Sequence, residues 1–407
     1  MNYCTGEVYP YVPNSSKVAY GVPEGTTYYD YVLDLRGAPI EMFPDHIVTL
    51  FNLRYLDLRG TRIKKLPESI GRLYNLETLN LYESQVESLP NGIVNLKNLR
   101  SLYSSQLKDE TYEEFNAEIG TRFPPKLNTL NNLKYLSIVE ANSNVVKEIR
   151  SMTQLVRLDI TTIDGSHKED LCFAIQNMRL LRWLSVRAAK GDGILCLDAL
   201  KSPPPFLESL VLVGKLENIP QWFKSLQNPR LLSLGWSRLT NDPLSHLEAL
   251  PSLRSLYLDT AYEELHLEFK NGFRRLEVLR IYRCHNLQSI RIENGVIPGL
   301  KELVIQSCGM LKEVPSGLKY LTRLQELWLS DLSEELIKRI EEPSGVDRPK
   351  IIHQYKISSG WWPLRNISSY VDTSEMAQGV TAPPSGSAAA ASSGAASSSG
   401  EADGTML

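Results

Sequence analysis

No run of about 18 apolar residues occurs in this chain of 407 residues, and roughly that length is the minimum for a membrane-spanning helix. The opening residues, Met1 to Gly6, carry neither a basic nor an apolar stretch, so no secretory signal is expected. Cysteine is scarce, with 5 residues (Cys4, Cys172, Cys196, Cys284 and Cys308) and no Cys-x-x-Cys pair. An odd, dispersed set without an export signal implies free thiols in a reducing compartment, and a cytoplasmic location is expected. Charge of one sign is lacking too. Lys and Arg number 44 against 47 Asp and Glu, a net charge of −3, so bulk charge gives no footprint for nucleic acid.

Catalytic signatures are also missing. There is no phosphate-cradling Gly-x-x-x-x-Gly-Lys-[Ser/Thr], no Gly-x-Gly-x-x-Gly after a strand, no His-Glu-x-x-His and no Gly-x-Ser-x-Gly. The 6 histidines are dispersed. His285 adjoins Cys284, but an isolated pair cannot hold zinc, which takes three or four ligands. The sequence therefore assigns no catalytic residue, cofactor or metal, and the chain is not expected to be an enzyme.

What is present is a repeat. Leu-x-x-Leu-x-Leu occurs as Leu53-Arg54-Tyr55-Leu56-Asp57-Leu58 and again as Leu76-Glu77-Thr78-Leu79-Asn80-Leu81. It returns with substitutions at Leu99, Leu133, Leu155, Leu181, Leu207, Leu231, Leu253, Leu276, Leu300 and Leu324, and Tyr31-Val32-Leu33-Asp34-Leu35 is in register with the first copy. Leucine-rich repeats have this period, each unit giving one short strand and a return segment. A single unit cannot bury its apolar face, so the units must stack. The expected fold is an α/β leucine-rich-repeat solenoid, a horseshoe with a concave parallel sheet of about 13 short strands and an irregular or helical convex side.

The two cleanest returns, Ile63 to Leu73 and Val86 to Leu96, share the form [Ile/Val]-x-x-Leu-Pro-x-x-Ile-x-x-Leu. Proline fixes φ at about −65°, so each Leu-Pro should start a short helical turn. Between Leu99 and Leu133 the spacing is too long for one repeat. The excess, Lys108 to Gly120, is expected to be an acidic helix or loop on the convex side or an edge. Ser202-Pro203-Pro204-Pro205-Phe206 should force extended backbone. In Leu231-Leu232-Ser233-Leu234-Gly235-Trp236, Trp is expected to replace a leucine. Cys284 and Cys308 occupy the same place in their repeats, after the first leucines Leu276 and Leu300, where these repeats bury Asn or Cys. Two stacked, buried thiols are expected rather than a disulfide or metal pair. The expected organisation is an irregular leader over 1–27, the solenoid over 28–332, a cap over 333–370 that includes a helix at 334–340, and a disordered Ala/Ser/Gly-rich tail over 371–407.

Because strand side chains alternate, the residues between the leucines face the concave side. Those expected to bind a protein partner are Tyr55, Asp57, Arg59, Asn80, Tyr82, Tyr135, Arg157, Asp159, Trp183, Arg187, Tyr257, Asp259, Arg280, Tyr282, Glu302, Gln306, Glu326 and Trp328. Tyr, Trp and Arg are enriched at protein-binding hot spots. No nucleic-acid partner and no membrane span are expected, and no oligomeric state is specified.

Several segments carry more than the generic template. Val32-Leu33-Asp34-Leu35-Arg36-Gly37-Ala38-Pro39-Ile40 through Asn52 to Thr61 resembles the start of the repeat domain in plant coiled-coil nucleotide-binding leucine-rich-repeat disease-resistance proteins, most closely those of grasses. Val139-Glu140-Ala141-Asn142, Met152 to Leu155, Leu216 to Trp222 and Trp236 to Leu244 look like the same family. The resemblance spans roughly 28 to 357. It implies cytosolic innate immunity, with the repeat domain recognising pathogen effectors or guarded host proteins and restraining a nucleotide-binding switch. The coiled coil and the nucleotide-binding domain are absent from this sequence, so ATP-driven oligomerisation is not implied. The alternative expectation is a constitutive intracellular repeat scaffold, for which a uniform repeat spacing would be typical.

Overall fold

The computed structural model describes residues 27–29, 31–107, 115, 118–341 and 356–358. Residues up to 26, residue 30, most of the 108–117 stretch, most of 342–369 and all of 370–407 lie outside the described residues; the expectations for the leader and the tail fall there.

One sheet holds fifteen strands in chain order. They are β1 (Thr27–Tyr29), β2 (Val32–Asp34), β3 (Tyr55–Asp57), β4 (Thr78–Leu81), β5 (Ser101–Ser104), β6 (Tyr135–Glu140), β7 (Arg157–Ile163) and β8 (Trp183–Ala188). Then follow β9 (Ser209–Val213), β10 (Leu231–Gly235), β11 (Ser255–Asp259), β12 (Val278–Tyr282), β13 (Glu302–Gln306), β14 (Glu326–Ser330) and β15 (Lys356–Ser358). From β2 to β15 every pairing is parallel. This is the leucine-rich-repeat solenoid expected from the sequence.

The register has no slip at the leucines. Leu33, Leu56, Leu79, Leu102, Leu136, Leu158, Leu184, Leu210, Leu232, Leu256, Leu279, Leu303 and Leu327 are direct partners from strand to strand. None is more than 1% exposed. A slip of one residue would turn each leucine to the opposite face, so burial itself fixes the register.

Each rung must then turn away from its strand, and most do so with a left-handed residue. Gly37 (φ 68°), Gly60 (φ 66°) and Gly214 (φ 143°) supply it with glycine, while Glu83, Thr260, Arg283, Ser307 and Asp331 adopt φ between 50° and 56° without it. The turn aims a backbone N–H along the stack: Gly60 N donates to Tyr82 O (3.0 Å), Thr260 N to Tyr282 O (2.9 Å) and Ser307 N to Ser330 O (3.1 Å). On the return, asparagines just ahead of the first leucine repeat the device with side chains. Asn75 Nδ2 donates to Phe51 O (2.8 Å), Asn98 Nδ2 to Tyr74 O (3.0 Å) and Asn132 Nδ2 to Lys97 O (2.9 Å).

The Leu-Pro returns form single helical turns, Glu68–Arg72 and Asn91–Asn95, with Pro67 and Pro90 at their extended N-caps. Longer returns hold α1 (Ser143–Ile149), capped by Asn142 through Asn144 N and Val145 N (both 3.0 Å), and α2 (Lys168–Asn177). Residues His266–Phe269 and Ser289–Ile292 pair as a second small parallel sheet on successive returns. A short helix over Glu334–Glu341 buries Leu336 after the last repeat, and β15 then pairs with β14.

Four features depart from the sequence reading. The first strand, β1, pairs antiparallel with β2, closing the leading edge with a tight turn. Leu231 is not a first leucine: Leu232 is the partner of Leu256, so Pro229 occupies that slot and Trp236 is the left-handed turn residue, φ 53°, rather than a leucine substitute. The proline run does not stay extended, because Leu207 N donates to Pro204 O (3.2 Å) and closes a turn at Phe206. The insertion begins as an antiparallel pair, Gln106–Leu107 with Glu118–Ile119. Its Phe115 is buried against the ends of distant rungs, edge-on to Trp236 (5.5 Å between centroids), with its carbonyl accepting from Arg187 (3.1 Å). Phe115 therefore lies at an edge, the second of the two positions expected for the insertion, and not on the convex side.

Two substitutions separate the ladder from the turn. Leu79→Ala is expected to cost about 2–5 kcal/mol, from lost transfer energy plus a cavity. Gly60→Ala should cost about 1–2 kcal/mol from the left-handed backbone alone, since nothing lies closer to an added Cβ than Gly37 backbone at 3.8 Å. Denaturant melts check both, and a Leu79→Ala midpoint equal to that of the parent would contradict the register.

Candidate functional site: the concave strand face

The strand residues between the leucines share one face, opposite the core. The register sets Asp57 beside Asn80, Trp183 beside Arg157, Tyr257 beside Arg280, and Asp259 beside Tyr282. It continues from Tyr282 to Gln306 and from Gln306 to Ser330. None of the expected contact residues is fully solvent-exposed. Asp57, Asn80, Tyr82, Arg157, Asp159, Tyr257, Arg280, Tyr282 and Gln306 are buried, while Tyr55, Arg59, Tyr135, Trp183, Arg187, Asp259, Glu302, Glu326 and Trp328 are half-buried.

Charges on this face are paired in place, in three groups. In the first, the Asp57 carboxylate accepts from Tyr55 Oη (3.0 Å), Asn80 Nδ2 (3.2 Å) and the Arg59 backbone N–H (2.9 Å). Arg59 lies 3.6 Å from Glu83 and over the Tyr82 ring. In the second, Arg157 donates to Asp159 (2.7 Å), which also accepts from Trp183 Nε1 (2.8 Å), and the guanidinium stacks 4.1 Å from the centroid of the Trp183 ring. In the third, Arg283 holds Asp259, Arg280 donates to Glu302 (2.7 Å) and lies over Tyr257, and Trp328 Nε1 donates to Glu326 (3.1 Å). Between the second and third groups the face is apolar or small, with Val211, Val213, Ser233 and Gly235. These buried pairs add little net stability, since desolvation offsets their attraction; what they do is fix aromatic rings and charges in set positions.

Hydrogen-bonding capacity on this face is not fully spent. Among the described residues, both amide atoms of Gln306, 1% exposed, the hydroxyl of its register neighbour Ser330 and the hydroxyl of Ser137, beside Tyr103, have no partner. A buried polar group left unsatisfied costs about 1–3 kcal/mol. The sequence reading included Gln306 but missed Ser330, Arg283, Tyr103 and Phe115. Arg283 and Phe115 could not be found from alternation, because one sits in a turn and the other in the insertion.

Burial raises the Asp57 carboxyl above the usual carboxylate range, and it raises the Tyr55 hydroxyl as well. Cys284 and Cys308 are buried free thiols; burial pushes Cys284 up to about 12 and Cys308 well above its ordinary value. Protonated thiols are poor metal ligands. Among the described residues no cluster of three or more His, Cys, Asp or Glu could hold a metal ion, and no helix is long and apolar enough to cross a membrane. The chemistry the face offers is that of fixed rings, paired charges and a few unsatisfied polar groups.

Comparison with known proteins agrees with this geometry. The family model described as a leucine-rich repeat region matches residues 31–342, and the chain belongs to that family. It is 41% identical over 342 residues to the disease resistance protein RPM1 of Arabidopsis thaliana, covering 84% of this chain and 37% of that protein. It is 29% identical over 237 residues to the probable disease resistance RPP8-like protein 2 of the same plant, covering 56% of this chain and 26% of that protein. The chain thus spans between about a quarter and little more than a third of the length of these curated relatives. A leucine-rich-repeat protein of Leptospira interrogans matches 80% of this chain and 95% of its own, with 18% identity and a TM-score of 0.47.

The raised Asp57 carboxyl binds its proton more tightly folded than unfolded. Its contribution to stability therefore grows as the pH falls through the folded value toward about 3.9, the unfolded one. Asp57→Asn removes that response. The melting temperature of the parent minus that of Asp57→Asn should rise as the pH is lowered from neutral, whatever its sign at pH 7. A difference that stays flat or falls would contradict the buried, ionised carboxylate.

Proposed function

We propose that this chain is the protein-recognition module of a plant disease-resistance protein, non-enzymatic, binding a pathogen effector or a guarded host protein through the concave face. Its working body is the repeat region over 28–332, capped over 333–370. The observation that carries the reading is the third group on the face. Tyr257, Arg280, Tyr282 and Trp328 hold fixed positions beside Gln306 and Ser330, whose side-chain polar atoms have no partner among the described residues. Rigid aromatic anchors with unsatisfied polar groups are the makings of a binding hot spot. The likeness to RPM1 over 84% of the chain gives that face its biological setting. The constitutive-scaffold alternative is disfavoured by uneven repeat spacing, short from Leu133 to Leu155 and long from Leu99 to Leu133, since an even solenoid keeps one period.

Affinity capture with the tagged chain from infected and uninfected leaf tissue tests this. Tyr282→Ala combined with Trp328→Ala should weaken capture of an infection-dependent partner by at least about tenfold, or about 1.4 kcal/mol. Gln306→Leu should also weaken it while raising the melting temperature, because it removes a buried unsatisfied amide. Capture of the same housekeeping complexes from both tissues, unaffected by either variant, would favour a scaffold.

A further inference from the structure

The insertion between β5 and β6 sends one residue far from its own rung. Its two ends pair antiparallel, Gln106–Leu107 with Glu118–Ile119, yet Phe115 is seated at the ends of β8 and β10. In a solenoid each repeat contacts only its neighbours. A contact that skips several rungs is therefore one the stack itself does not require.

Three residues make the seat. The Trp236 indole meets the Phe115 ring edge-on, with 5.5 Å between centroids and 83° between planes. The Arg187 guanidinium lies 5.9 Å from the centroid of the same ring, and its Nη1 donates to the Phe115 carbonyl (3.1 Å). Gly191 supplies the room: a Cβ there would come within 3.3 Å of the ring, so a side chain at this position would crowd it. Arg238 lies 5.7 Å from the Trp236 centroid and backs the indole with a second guanidinium. Seated in this way, Phe115 is only 7% exposed.

Register places the seat on the concave face. Arg187, Val213, Gly235 and Asp259 are direct partners across β8 to β11, and Trp236 follows Gly235 in the chain. The seat thus adjoins the small and apolar stretch between the second and third charge groups, where the face offers no paired charge of its own.

Nothing in these contacts is peculiar to the insertion. The seat reads one phenyl ring and one main-chain carbonyl, and a phenylalanine in any exposed peptide segment offers both. Edge-to-face ring packing favours an aromatic side chain over an aliphatic one, and a guanidinium beside the ring adds to that preference. We propose that Arg187, Gly191 and Trp236 form an aromatic-binding subsite of the recognition surface, closed by the chain's own Phe115 and opened when a partner protein inserts an exposed phenylalanine in its place. The identity of that partner as a defence target rests on the reading above; the subsite does not. Self-occupancy lowers the apparent affinity for every ligand by the fraction of time the seat is open, so a weak or non-aromatic partner meets a closed face.

The probe is N-acetyl-4-fluorophenylalaninamide, followed by fluorine NMR line broadening as the full chain is titrated in. Phe115→Ala should bind it saturably. The parent should bind at least about tenfold more weakly, because its seat is open less than about a tenth of the time. Trp236→Ala added to Phe115→Ala should abolish the binding, while Phe206→Ala, which removes an exposed ring elsewhere, should leave it within about twofold. Phe115→Leu keeps an apolar occupant without the ring; it should bind the probe with an affinity between those of the parent and Phe115→Ala, and it covers the case in which the alanine variant fails to fold. N-acetyl-leucinamide should displace the probe at least about fivefold less well than N-acetylphenylalaninamide. Equal binding by the parent and both Phe115 variants, binding by none of them, or binding that survives Trp236→Ala would overturn the subsite. In capture from infected leaf, Phe115→Ala should raise recovery of an infection-dependent partner; unchanged or lower recovery of that partner would overturn the displacement. Probe binding as expected, with no infection-dependent partner captured by any variant, would uphold the subsite and contradict the defence reading instead.

Discussion

Everything in this fold depends on parallel pairing without slip between leucines one repeat apart. Thirteen leucines, from Leu33 to Leu327, face one another in a continuous line and are essentially excluded from solvent. Each is worth about 1.5–3 kcal/mol as buried apolar surface, but only if its neighbours above and below are in register, since one rung cannot cover its own leucine. The left-handed turn after most strands serves that register. It carries backbone N–H groups from one rung to the carbonyls of the next, so the chain can leave the sheet without breaking the stack. Where glycine is missing from the turn, as at Thr260 and Ser307, the stacking offsets a backbone cost of about 1–2 kcal/mol.

Fixed register has a second effect, on the surfaces. Residues far apart in sequence fall into columns, and each column acquires a character of its own. On the concave face the columns bring Arg157, Asp159 and Trp183 into one cluster, and Asp259, Arg283, Arg280 and Glu302 into another. At the strand starts they line up Arg54, Glu77 and Arg100, and Arg254, Glu277 and Lys301, as ion triads. The two roles are separate in place: the leucines hold the ladder, and the columns beside them set the character of the surfaces.

Much of this was legible in the sequence, and the reason is the strict two-residue alternation of a strand. Leu-x-x-Leu-x-Leu states both the buried positions and the exposed ones between them, so the fold and the membership of the concave face follow directly. The errors arise where another residue holds a template slot. Pro229 stands where a first leucine belongs, and the following Leu231-Leu232 pair then invites a frame shifted toward the C-terminus. The site of the insertion was not legible, because it is set by Phe115 meeting Arg187 and Trp236, several repeats further along the chain. Nor were the left-handed turns at Glu83 or Arg283, since no residue type advertises them.

The central claim, that slip-free pairing of leucines between adjacent rungs holds the structure, is tested most directly by residue-resolved amide hydrogen exchange on Leu210→Ala. Nearest-neighbour stacking predicts that protection falls most in β9, less in β8 and β10, and hardly at all in β3 or β14. A loss spread evenly over every strand, or confined to β9 alone, would contradict it.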